Sequence, residues 1–221
     1  MEIWLDGVDA DLIKKGNQLG AIHGVTTNPS IIAKSNASLE ETLSRIEKNH
    51  QGPIAVQVLA KKAEDIIEQA ETLRDYSESI IVKIPTTEQG LKAMQSLSHL
   101  QLPIMATGIV TTFQALLACH TGVSYLAPYY SHIEETGVAS ENALAAMLHT
   151  VEYYGFETKV LVASLRSLDQ MTICLEHGAH GVTLKPSLFN ELIGDHPLTL
   201  KHIEKFSEDA KEGSPSKLIS I

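Results

Sequence analysis

Apolar residues in this chain fall into short β-branched runs, separated by longer stretches in which they recur every three or four positions. The runs "EIWLD", "IHGVTT", "IAVQVLA", "SIIVKIP", "LPIMAT", "SYLAP", "KVLVAS" and "GVTLK" read as eight strands. Between them, "DADLIKKGNQLG" and "KKAEDIIEQAETLRDYS" have helical periodicity, the second with Ala63, Ile66, Ile67, Ala70 and Leu73 on one face. Alternating strands and helices imply parallel pairing through crossover helices, and eight such units in a chain of this length predict a (β/α)8 TIM barrel. The competing fold is an open doubly wound sheet, but the first strand-to-helix turn, "LDGVDADL", has no GxGxxG phosphate loop. One barrel domain over residues 1–221 is expected, because no linker or composition shift marks a second. Beyond the eighth strand, "HPLTLKHIEKFSEDAKEG" reads as an added helix over about 197–212, followed by a polar tail "SPSKLISI".

Composition narrows the function classes. With 43% hydrophobic residues and no apolar run long enough to span a bilayer, the 221-residue chain has material for a sizeable core and none for a transmembrane helix. A net charge of −10 without Lys/Arg clusters argues against nucleic acid, so an anionic ligand has to be held by a few placed groups. The amino terminus "MEIWLDGVDADL" lacks the basic flank and apolar region of a secretory signal, and Cys119 and Cys174 sit in helical patterns; two reduced thiols in the cytoplasm are expected. Ten histidines include no HExxH, and no paired CxxC occurs, so no metal site is predicted. His177 with His180 reads as a loop pair at a helix end, and Glu134 with Glu135 as a solvated loop.

A barrel of this kind forms its active site at the carboxyl ends of the strands. Polar residues there are few: Asp6 closing strand one, Thr26 and Asn28 after strand two, Gln57 late in strand three, Lys83 in strand four, Thr107 after strand five, Tyr129 after strand six and Ser164 after strand seven. Lys83 is the anomaly, because Ile80, Ile81 and Val82 precede it and Ile84 and Pro85 follow. A structural ion pair with Asp6 is one reading. The other uses the same burial: desolvation and a cationic neighbour favour the neutral amine, a nucleophile able to form a Schiff base with a carbonyl. Lys185, at the end of strand eight before Pro186, is the rival, although a rim position suits contact with an anion better than covalent chemistry. In "ASLRS", Ser164, Arg166 and Ser167 surround an expected helix amino terminus, either as a phosphate clamp or as a solvated arginine with hydroxyl caps. "TTNPSII" offers Asn28 as N-cap and Pro29 as first helical residue, which also fixes Thr26 and Asn28 at the mouth.

"GVTTNPSII" together with "VKIPTTEQGLKAM" resembles the transaldolase family, in particular its small branch that includes fructose-6-phosphate aldolase, and the similarity runs from "MEIWLD" to the terminal helix. The resemblance implies a (β/α)8 barrel without a cofactor, in which Lys83 forms the Schiff base. It also implies that Asp6 and Asn28 handle sugar hydroxyls, that Thr26 lines the site, and that "ASLRS" binds the substrate phosphate. A ring-shaped homo-oligomer with the carboxyl-terminal helix in subunit contacts is implied too. Gln57 and Tyr129 stand where transaldolases typically have glutamate and phenylalanine, and Met105 where they tend to have asparagine. All three match the aldolase, in which Tyr129 serves the imine and enamine proton transfers while Gln57 and Thr107 position a water.

The expected function is therefore reversible cleavage of fructose 6-phosphate to dihydroxyacetone and glyceraldehyde 3-phosphate. The first alternative is a transaldolase of the pentose phosphate pathway, passing dihydroxyacetone between sugar phosphates; the second is a noncatalytic sugar-phosphate binding barrel. Three departures from the family pattern bear on the ligand: His132 replaces an arginine of the phosphate site, Lys185 stands where an uncharged residue is usual, and "TGIVTTFQ" alters the loop after strand five at Val110, Thr111 and Thr112.

Overall fold

The computed structural model describes residues 1–100 and 102–212; the expected polar tail at 214–221 lies outside them. Eight parallel strands close a barrel in chain order: β1 Glu2–Asp6, β2 Gly24–Thr26, β3 Ile54–Gln57, β4 Ile80–Pro85, β5 Ile104–Ile109, β6 Tyr125–Pro128, β7 Lys159–Val162 and β8 Gly181–Leu184. The ring is sealed where Leu5 pairs with Leu184. All eight predicted strands are present, and most are shorter than their apolar runs because flanking residues turn into helices or loops. Thr107, expected beyond β5, lies inside it, since that strand continues to Ile109.

Eleven α-helices are described: α1 Ala10–Gln18, α2 Pro29–Lys34, α3 Leu39–Asn49, α4 Ala63–Tyr76, α5 Glu88–Leu97, α6 Thr112–Cys119, α7 Tyr130–Ile133, α8 Ser140–Tyr153, α9 Leu168–Glu176, α10 Pro186–Leu192 and α11 Pro197–Glu212. Their starts follow local chemistry. Asp9, Asn28, Ser38, Thr87, Thr111 and Ser167 each accept a backbone N–H as N-cap, and Pro29 and Pro186 occupy first-turn positions. Glu134 and Glu135 belong to a short 3₁₀ turn and are exposed. Both cysteines are buried in helices, Cys119 in α6 and Cys174 in α9, and neither forms a disulfide.

Two apolar layers explain why β4 reads as buried on both faces. Ile80, Val82 and Ile84 pack outward into the layer between strands and helices, while Ile81 joins Trp4, Ala55, Met105, Tyr125, Ala127 and Leu161 inside the barrel. Period-two alternation therefore places Lys83 on the inner face, above Ile81. Trp4 fills the lower barrel only because position 24 is glycine; a Cβ there would stand 2.5 Å from the indole ring. Below it, Glu2 accepts hydrogen bonds from Trp4 Nε1 (3.0 Å), the Tyr125 hydroxyl (3.2 Å) and Lys159 Nζ (2.6 Å), closing the amino-terminal mouth with a satisfied polar network.

Candidate active site

The carboxyl-terminal mouth gathers the predicted polar residues. Asp6 ends β1 beside Thr26 of β2, and Thr26 Oγ1 donates to Asp6 Oδ1 at 2.8 Å. Thr26 Oγ1 also lies 2.6 Å from Thr183 Oγ1 of β8. If Thr26 gives its proton to the carboxylate, Thr183 supplies the bond in return, so a three-strand chain fixes the rotamer of Asp6. Thr183 was not among the sequence candidates; its signal is its place two residues before Lys185 on the inner face of the same strand.

Lys83 is 5% exposed, and its Nζ donates to the backbone oxygen of Thr27 at 2.9 Å. The structural ion pair with Asp6 does not form: among the described residues no carboxylate lies within ion-pair distance of Nζ. Burial pushes the Lys83 amine below the ordinary lysine value, and the more distant Asp6 charge acts in the opposite direction. Desolvation thus accounts for the depression without the cationic neighbour that the sequence reading also invoked. Register partners reinforce the dry setting, with Met105 on one side and Gln57, at the half-buried end of β3, on the other. Thr27 was likewise missed as a contributor, because it acts through its main chain; its hydroxyl, occupied with the Ala55 carbonyl at 2.9 Å, holds that segment in place.

On the next two strands, Thr107 Oγ1 donates to the phenol oxygen of Tyr129 at 3.2 Å. The phenol proton is then not used by Thr107 and is available to another acceptor. Tyr129 is pinned by a parallel bridge to Ala163 and forms the N-cap residue of α7. Gly108, at φ 69°, accommodates the register irregularity between Thr107 and Ile109 within β5.

Strands β7 and β8 contribute the remaining groups. Ser164 has φ 61°, a left-handed conformation costly for a residue with a Cβ and of the kind that collects at functional sites. Ser167 caps α9, and Gln170 Oε1 accepts the Arg166 backbone N–H at 2.8 Å, shaping the turn. Arg166 and Lys185 are exposed at the rim, whereas Asn28 spends its side-chain oxygen on the Ile31 N–H at 3.0 Å as the cap of α2. His132 on α7 sits 5.9 Å from the Tyr129 ring, centroid to centroid, with Nδ1 3.0 Å from Glu135. A cleft of about 820 Å³ opens at the opposite end, lined by Ser79, Tyr125 and Lys159 near the strand starts, so cavity size does not mark this constellation.

The arrangement provides a buried amine of lowered basicity, a carboxylate held by a hydroxyl chain, a phenol with a free proton and a cationic rim. Comparison with known proteins gives the family. The Transaldolase/Fructose-6-phosphate aldolase family profile matches residues 3–216. "Probable transaldolase 2" of Listeria monocytogenes is 34% identical over 209 residues, covering 95% of each chain. "Probable transaldolase" of Streptococcus equi subsp. zooepidemicus is 32% identical, over 95% of this chain and 97% of its own. "Probable transaldolase" of Desulfotalea psychrophila is 34% identical with the same coverage. The chain belongs to the transaldolase/fructose-6-phosphate aldolase family of Schiff-base-forming enzymes.

Proposed function

We propose that the protein is a class I aldolase that reversibly cleaves fructose 6-phosphate to dihydroxyacetone and glyceraldehyde 3-phosphate. Lys83 Nζ attacks C2 of the ketose, and loss of water gives an iminium. The Asp6 carboxylate takes the proton of the C4 hydroxyl as the C3–C4 bond breaks; the bonding pair moves into the iminium, leaving an enamine, and glyceraldehyde 3-phosphate departs. Protonation at C3 of the enamine, with Tyr129 as acid through a water held by Gln57 and Thr107, restores the iminium. Its hydrolysis releases dihydroxyacetone and Lys83. Thr26 and Thr183 keep Asp6 aligned, Asn28 contacts sugar hydroxyls, and Ser164 and Arg166 hold the phosphate.

The hydrogen bond from Thr107 to Tyr129 carries the choice of aldolase, because it leaves a phenol proton for the enamine on a residue held against β5, the strand next to that of Lys83. The relatives' names favour the transfer reading, in which the enamine waits for an aldose acceptor. Glyceraldehyde 3-phosphate release from fructose 6-phosphate without acceptor, followed over many enzyme equivalents, separates the two. Sustained turnover is expected; a burst near one equivalent that resumes only on adding erythrose 4-phosphate would establish the transaldolase instead. Failure to form any adduct would leave only the binding barrel.

The reading extends to assembly. α11 leaves Leu198, Leu200, Ile203 and Phe206 exposed, Phe206 by 65%, on a helix with few contacts to the barrel. A second copy of the chain covering this face gives the homo-oligomer.

A further inference from the structure

Lys185 is exposed at the carboxyl end of β8, where the strand passes into α10. The inner-face residues of β8 are Gly181, whose added Cβ would stand 2.7 Å from Leu161, and Thr183, which meets Thr26 inside the barrel. Lys185 is next in the alternation, and its backbone stays extended (φ −61°, ψ 155°) because Pro186 follows and disfavours helical geometry before it. Its side chain therefore starts from the inner row, at the rim. The pairing of Leu5 with Leu184 sets Lys185 beside Asp6, while Val162 with Val182 sets Ser164 beside Leu184 and brings the Arg166 turn to the adjoining strand end.

Neither Lys185 nor Arg166 has a carboxylate within ion-pair distance among the described residues, although acidic residues outnumber basic ones 27 to 17 in the chain. His132, by contrast, is engaged with Glu135. Two exposed basic residues without carboxylate partners among the described residues, at the carboxyl ends of the adjoining strands β7 and β8, make an anion-attracting rim in an otherwise acidic protein.

We infer that Lys185 is a specificity residue that binds the phosphate dianion of the substrate together with Arg166, a role that rests on the sugar-phosphate reading of the site. Arg166 supplies planar, paired donors and Lys185 a point charge from the Asp6 side, so the phosphate end of a linear sugar lies over β7 and β8 while its carbonyl reaches β4.

The test uses Lys185→Met and Lys185→Arg in the full chain. A charge-assisted hydrogen bond contributes about 1.5–3 kcal/mol, roughly tenfold or more in binding. With dihydroxyacetone as donor, the preference for glyceraldehyde 3-phosphate over glyceraldehyde should fall about tenfold in Lys185→Met and recover largely in Lys185→Arg. Inhibition by inorganic phosphate should weaken by a similar factor. Unchanged preference and unchanged phosphate inhibition would make Lys185 a solvated lysine and overturn the inference. An equal loss of kcat with both aldehydes would overturn it too, assigning Lys185 to the setting of Asp6. Trapping of dihydroxyacetone on Lys83 by borohydride, measured in parallel, reports on the aldolase reading alone, whereas calorimetric binding of inorganic phosphate to parent and variant decides the role of Lys185 even if no adduct forms.

Discussion

In the proposed mechanism a single amine, Lys83, carries the chemistry, and its environment has consequences for stability as well as rate. The native pKa of Lys83 is below the unfolded value, so between the two the unfolded chain binds more protons and stability rises with pH; below the native value the whole cost of the buried charge is present. Lys83→Met should therefore stabilise the fold near neutral pH, by on the order of 1–4 kcal/mol, with an advantage that shrinks as pH rises toward the ordinary lysine value. Urea unfolding at several pH values checks this, and a pH-independent gap would contradict the burial argument. Tyr129→Phe combined with Gln57→Glu should lower acceptor-free release of glyceraldehyde 3-phosphate by about 10²-fold or more, the range for loss of a general acid, while transfer to erythrose 4-phosphate persists. Equal loss of both activities would mean that Tyr129 has no special part in protonating the enamine. At this scale the sequence was informative where a polar side chain interrupts an apolar strand, as with Lys83. It was silent on Thr27, whose carbonyl receives the lysine, because main-chain groups carry no residue-type signal.

Strands and turns convert that chemistry into position. Gly24 yields its Cβ volume to Trp4, so Gly24→Ala should cost about 1–3 kcal/mol by overpacking, seen as a lower urea midpoint with unchanged slope. A neutral result would show that the indole can move aside. Ser164 is held left-handed between β7 and α9, and Ser164→Gly should relieve about 1 kcal/mol of strain while raising KM for the phosphorylated substrate. Stabilisation without a KM change would make the conformation a folding feature only. The eight strands were legible because each apolar run alternates with a helical period, and the caps Asn28 and Ser167 could be read from residue type. Strand ends were less so: β5 extends past Thr107 because Gly108 permits an irregular register that no periodicity encodes.

For the whole molecule, barrel closure brings residues far apart in sequence onto one rim, and this is what the sequence could only imply. Thr26 and Thr183 are 157 positions apart, yet share a hydrogen bond because β8 closes on β1 and β1 pairs with β2. The exposed apolar residues of α11 test the proposed homo-oligomer: Ile203→Glu with Phe206→Glu should lower the mass measured by light scattering after size exclusion to that of one chain. An unchanged mass would place the contacts elsewhere. Among the described residues no helix is long and apolar enough to cross a membrane. The most direct test of the account is intact mass after borohydride reduction in the presence of fructose 6-phosphate, followed by peptide mapping. One reduced three-carbon adduct per chain, on the peptide containing Lys83 and lost in Lys83→Met, is the predicted result; an adduct on Lys185 or any other lysine, or one that survives Lys83→Met, would contradict it.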